Sequence, residues 1–112
     1  MSRYWHGGPG IDGARILPPS VTGCGRVTND PYVYVTPLYS LALMYAASCD
    51  GWVYEVIPAG PIEQDPDSSL PSGDSLRCSS AGIVRRVRPP RRELERAAAA
   101  MRQSMSWLGG TA

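Results

Sequence analysis

Short apolar runs along this chain are separated by long stretches of turn-forming residues. Residues 7 to 31 (GGPGIDGARILPPSVTGCGRVTNDP) are rich in Gly and Pro, with one apolar break at Ile16-Leu17. The pattern predicts a long, mostly irregular segment, of a kind that compact domains keep chiefly for binding. Tyr32-Val33-Tyr34-Val35 is β-branched and aromatic, and predicts a short buried strand. Thr36-Pro37 then reads as a helix start, a capping hydroxyl followed by proline at the first helical position. Leu38, Leu41, Ala42, Tyr45, Ala46 and Cys49 recur at helical spacing up to Asp50-Gly51. Trp52 to Ile57 predicts a second strand stopped by Pro58, with Trp52, Tyr54 and Val56 on one face and Val53, Glu55 and Ile57 on the other.

Residues 58 to 75 return to a Pro/Gly/Asp/Ser-rich loop. Gly82 to Arg88 predicts a third strand, with Ile83 and Val87 facing one way and Val84 the other. Pro89-Pro90 opens a C-terminal helix over 89–108, whose Leu94, Ala97, Ala98, Met101 and Met105 form one apolar stripe closed by Gly109-Gly110. The outcome is an α+β fold with short strands, two long loops and two helices. No internal repeat is visible.

Composition narrows the reading in a few respects. The 112 residues suit one domain, 1–112, with a single core and a modest cleft. Hydrophobic residues at 43% and charged residues at 19% are an ordinary globular balance. A net charge of +1 gives no pointer to nucleic acid or an anionic membrane as partner, since both favour a clear basic excess. The basic cluster Arg85, Arg86, Arg88, Arg91 and Arg92 therefore reads as a solvated strand end and helix start rather than a phosphate contact. Met101, Met105 and Trp107 read as part of a covering helix face rather than a docking site. Cys24, Cys49 and Cys78 have no CxxC spacing, and one histidine leaves no zinc site, so no metal is expected. Nothing near Cys24 points to a reactive thiol. With no secretory pattern and no apolar run long enough to span a bilayer, the expected compartment is the cytoplasm.

Three local motifs carry the chemistry: Tyr4-Trp5-His6-Gly7-Gly8, Tyr32 to Thr36, and Val53 to Pro58 running on through Gly60-Pro61-Ile62-Glu63-Gln64-Asp65-Pro66. Each alone is weak. In this order, with Ser75-Leu76-Arg77 behind them, they resemble the Arr family of small bacterial NAD-dependent transferases that ADP-ribosylate rifamycin antibiotics. The family's YxHGT opening corresponds to YWHGG here, its [VI]Y[IL]T strand to VYVT, its [VI]xxVEPxGPIEDDP segment to VYEVIPAGPIEQDP, and its SYR triplet to SLR. Gly8 stands in place of Thr, Gln64 in place of a frequent Asp, and Leu76 in place of an aromatic residue. The similarity covers residues 4 to 88, with GPIExDP as its most specific part.

The resemblance implies an ADP-ribosyltransferase-like split β core with flanking helices and a central NAD cleft. It implies mono-ADP-ribosyltransferase activity, with NAD as co-substrate and His6, Tyr34 and Asp65 as the catalytic set. His6 is assigned to a ribose hydroxyl or the diphosphate, Tyr34 to stacking on nicotinamide, and Asp65 to the ribose and its developing charge, with Glu63 as the rival acid. Gly7, Gly8, Tyr45, Ser75 and Arg77 join His6 and Tyr34 among the expected NAD-contacting residues, Arg77 toward the diphosphate. The acceptor stays open between a rifamycin-type antibiotic and a macromolecule. An NAD glycohydrolase, an RNA 2′-phosphotransferase and a non-catalytic nucleotide-binding module are the alternatives, because fold alone does not decide among them.

Overall fold

The computed structural model describes residues 3–23, 29–68 and 73–109, with side chains to 103. In chain order the elements are β1 (Tyr4–Gly8), β2 (Arg15–Ile16), α1 (Pro19–Thr22), β3 (Val33–Val35), α2 (Tyr39–Ala47), β4 (Trp52–Ala59), β5 (Glu63–Gln64), β6 (Leu76–Cys78), β7 (Ser80–Val87) and α3 (Arg91–Gly109). They form an α+β fold with two antiparallel sheets, ordered β1-β4-β7-β2 and β3-β6-β5, and three helices among the described residues. The stretches expected to be irregular hold three further elements, β2, α1 and β5, and β6 follows directly on the second stretch. None of the described helices is long and apolar enough to cross a membrane. Cys24 lies outside the described residues, and Met105 and Trp107 outside the described side chains.

The central strand β4 organises the core because both of its faces are covered. Tyr54 and Val56 pack with Ile16, Val33, Val35, Cys78 and Ala81 between the two sheets, Trp52 joining from the edge. Val53 points the other way, into a second cluster with Trp5, Ala42, Ala46 and Leu94 beneath the helices. The expected division of β4's faces thus holds through its buried residues. Pro58 does not stop the strand, which runs on to Ala59. β1 pairs with β4 only over residues 52 to 56, so proline at 58 sits beyond that ladder, where a missing N–H costs no bond to β1.

Strand β7 departs from the expected parity. Ile83 packs between the sheets whereas Val87 packs beneath the helices. The register explains it: Glu55 pairs with Arg85 and the next residue, Val56, with Ile83, leaving Val84 as an extra residue in a β-bulge. One extra residue exchanges the faces of everything beyond it. Val84 is left exposed on the outer surface.

Helix α2 begins at Tyr39, later than Thr36-Pro37 suggests. The Thr36 hydroxyl does accept a backbone N–H, from Leu38 at 3.0 Å. However, Thr36 is held extended by a two-bond pairing with Trp5, whose N–H reaches the Thr36 carbonyl at 2.8 Å and whose carbonyl takes the Thr36 N–H at 2.9 Å. The helix buries Ala42 and Ala46, while Leu38 and Tyr45 of the expected stripe are exposed. Small residues on that face let α2 lie close to β1, and Leu94 of α3 closes the same cluster, so the α3 stripe covers α2 as well as the sheet. The arginines of β7, and Arg88 just after it, also bond within the fold: Arg85 pairs with Glu55, Arg88 donates to the carbonyls of Asp50 and Gly51, and Arg86 to those of Ile11 and Gly13.

Gly7 shows how tight the α2 contact is. A Cβ there would lie 1.9 Å from the Ala42 carbonyl oxygen and 2.9 Å from the Ala46 nitrogen. Gly7→Ala is expected to destabilise the fold by about 1–3 kcal/mol through overpacking, read as a fall in the urea midpoint. Val84→Thr, on the exposed bulge, should stay within about 0.5 kcal/mol of wild type. Equal effects at the two positions would contradict this packing.

Candidate active site

The two sheets diverge beyond the Trp5–Thr36 pairing, and a cleft opens between them. Alternation along β1 sends Trp5 beneath the helices and His6 to the opposite face, toward the cleft. Alternation along β3 buries Val33 and Val35 and leaves Tyr34 facing outward beside it. A cavity of about 790 Å³ lies there, a size usual for cofactor and ligand sites. His6, Gly7, Gly8, Tyr34, Tyr45, Asp65 and Ser75 all line it. A second cavity of about 490 Å³ shares His6 to Pro9 and Tyr34 with the first and extends over Ile11, Ile16, Leu17 and Pro19.

His6 is fixed by a 2.7 Å hydrogen bond between Nδ1 and the Tyr34 carbonyl oxygen. A carbonyl only accepts, so Nδ1 carries the proton and Nε2 of the neutral ring presents a lone pair. Burial pushes the imidazole below its ordinary value, with the Tyr34 carbonyl pulling weakly the other way. Glycine at position 8 keeps Nε2 accessible, because a Cβ there would stand 3.0 Å from that atom.

Tyr34 is anchored at its hydroxyl, which donates to Asp30 Oδ2 at 2.7 Å. Burial first, then this bond and the Asp30 and Asp65 charges, hold its phenol well above the usual tyrosine range. Tyr45, at the far end of α2, is raised by burial and by the charge of Asp65, with the Ser75 hydroxyl partly offsetting them. Asp65 is oriented by an Asx turn: its Oδ1 accepts the Asp67 N–H at 3.0 Å, and its own N–H donates to the Ser75 carbonyl at 3.0 Å. The Ser75 hydroxyl stands 3.4 Å from Asp65 Oδ2, a long contact.

Arg77 and Glu63 are not brought to the site. The Arg77 guanidinium pairs with Glu63 at 2.6 Å and lies over the Tyr32 ring at 3.9 Å, and neither Arg77 nor Glu63 lines either cavity. Of the two carboxylates weighed as the acid, Asp65 is therefore the one at the cleft. Ser48, Cys49 and Met101 also line the larger cavity, and Asp30 stands behind Tyr34, although no motif marks any of the four as a site residue. Asn29-Asp30-Pro31 is a turn signal, which marks Asp30 as a local anchor but does not name its partner. No protein-family model and no curated protein sequence matches the chain.

The cleft wall is held from behind by Tyr54, whose hydroxyl donates to the Pro9 carbonyl at 2.8 Å and accepts the Ile11 N–H at 2.9 Å. Flat aromatic walls, an uncharged hydroxyl acceptor and an oriented carboxylate thus face one space. His6 is the only histidine, which makes its contribution measurable. Folding lowers its proton affinity, so the stability it contributes is intact above 6.5 and is lost as pH falls from there toward the lower folded value. The urea midpoint should fall between about pH 7 and about pH 5 in wild type, and more steeply than in His6→Asn, whose amide N–H still reaches the Tyr34 carbonyl. Identical slopes for the two proteins would show that His6 is not held neutral by burial.

Proposed function

We propose that the protein is a mono-ADP-ribosyltransferase that takes NAD as co-substrate, moves ADP-ribose to an acceptor nucleophile and releases nicotinamide. The reading rests on one observation above all: His6, Tyr34 and Asp65, far apart in sequence, line the same cavity. It draws further support from the resemblance of the three motifs to the Arr family and from an α+β fold of two antiparallel sheets.

The residues present suit this chemistry. Tyr34 and Tyr45 offer aromatic surface for a nicotinamide ring. His6 Nε2, an acceptor without charge, favours a ribose hydroxyl over the diphosphate, which brings no proton to share at neutral pH. Arg77, committed to Glu63 and Tyr32, takes no part in this scheme. The two cavities meet along His6 to Pro9 and Tyr34, which suits a dinucleotide with its nicotinamide half in the larger and its adenosine half in the smaller. Breaking the bond between ribose C1′ and the nicotinamide nitrogen sends the electron pair out with a neutral leaving group and leaves positive charge on the ribose. Asp65 stabilises that charge and accepts the proton shed by the acceptor as the new bond to C1′ forms.

The test is nicotinamide release from NAD by purified protein, with and without rifampicin. His6→Ala and Asp65→Ala should each lower turnover by about a hundredfold or more; Asp65→Ala should unfold like wild type, since its side chain is part of neither hydrophobic cluster, whereas His6→Ala also loses the bond to the Tyr34 carbonyl. Release that requires rifampicin identifies an antibiotic acceptor. Release without it points to water or a macromolecule, separated by labelled NAD in lysate. An active Asp65→Ala protein would remove Asp65 from the mechanism, and a wild-type protein that neither turns over nor binds NAD in calorimetry would overturn the reading.

A further inference from the structure

Tyr34 is the most exposed member of the triad to misorientation. It sits alone on the outer face of a three-residue strand, and the two valines beside it are buried on the other side. Nothing about a tyrosine at such a place fixes where its ring points. Behind it, outside the lining of both cavities, lies Asp30. One carboxylate oxygen accepts the Tyr34 hydroxyl at 2.7 Å, and the other accepts the Tyr32 backbone N–H at 3.0 Å. Asp30 is in turn tied down through its own carbonyl, which accepts the Ser20 N–H of α1 at 2.9 Å. Pro31 fixes φ between the anchor and the strand. At the other end of Tyr34, its carbonyl is bonded to His6. The residue is therefore held at backbone and at phenol, by two different members of the site.

We infer that Asp30 is a positioning residue for the transferase site proposed above, holding the Tyr34 ring as a fixed wall by accepting a hydrogen bond from its hydroxyl. Two consequences follow from the geometry. A phenol that already donates to a carboxylate is not available as an acid toward the substrate, so Tyr34 acts through its ring face. A ring fixed before binding also loses little freedom when a ligand stacks on it, so Asp30 affects how well NAD is held more than how fast the bond breaks.

Asp30→Ala, Asp30→Asn and Tyr34→Phe separate these effects. Asn keeps an oxygen for the Tyr32 N–H and places an amide N–H₂ toward the phenol, so the ring stays tethered while its proton is released. Asp30→Ala should raise KM for NAD about tenfold with kcat within about threefold of wild type, and Asp30→Asn should restore most of the KM. In a Tyr34→Phe background, Asp30→Ala should add little. Independently of NAD, ultraviolet titration of each protein against its Tyr34→Phe counterpart reads the Tyr34 phenol directly. It should stay protonated well above the usual tyrosine range in wild type and ionise at lower pH in both Asp30 variants, with burial keeping part of the rise. A titration unchanged by Asp30→Ala would show that the carboxylate does not hold the phenol. A changed titration with wild-type KM would show that the tether does no positioning work; either result overturns the inference. Wild-type protein that ionises Tyr34 as expected but releases no nicotinamide would count against the transferase reading while leaving the tether established.

Discussion

The site depends on a pairing that goes no further than one bridge. Trp5 and Thr36 exchange two backbone hydrogen bonds, joining β1 of one sheet to β3 of the other. In a continuous ladder the next rung would involve the Tyr34 carbonyl and the backbone of β1. That carbonyl instead accepts from the His6 imidazole, a side chain longer than a rung. The strands part at this point, and the space between them is the cleft. The interaction that opens the cleft thus also fixes the tautomer of the imidazole facing it. Divergence of the sheets and orientation of His6 are one structural event.

Everything else at the site follows from having to keep that opening in place. Gly7 must lack a side chain because α2 presses its backbone onto β1 directly behind the cleft. Tyr54, buried in the core between the sheets, spends its one hydroxyl on the backbone of the segment that leaves β1. Arg86 of β7 and Arg88 just after it tie carbonyls of the surrounding loops to the sheet.

Much of this was legible in the sequence, and the exceptions have a common cause. The faces of β4 could be read because period-two alternation lies wholly within one segment. The parity of β7 could not, since the bulge at Val84 is a property of its pairing with β4. Thr36-Pro37 carries a proper helix-start signal, but Trp5 claims the Thr36 backbone from a distant strand. β2 and β5 are two-residue strands built from Arg15-Ile16 and Glu63-Gln64, and owe their existence to partners rather than propensity. Among the expected site residues, His6, Gly7, Gly8, Tyr34, Tyr45, Asp65 and Ser75 gather at the larger cavity, whereas Arg77, at the end of the Ser75-Leu76-Arg77 triplet, is held by its neighbours Glu63 and Tyr32. Asp30 escaped notice because a turn residue shows its local role in sequence and conceals the phenol it holds.

The segment from Pro9 to Ala14 is irregular, yet it is fastened almost residue by residue. Tyr54 holds Pro9 and Ile11, Arg86 holds Ile11 and Gly13, and the Ile83 N–H holds Ala14. Its conformational entropy is surrendered when the chain folds, not when a ligand arrives. A wall of this kind recognises by its existing shape: it discriminates sharply between ligands of slightly different outline, and it has little capacity to adapt to a new one.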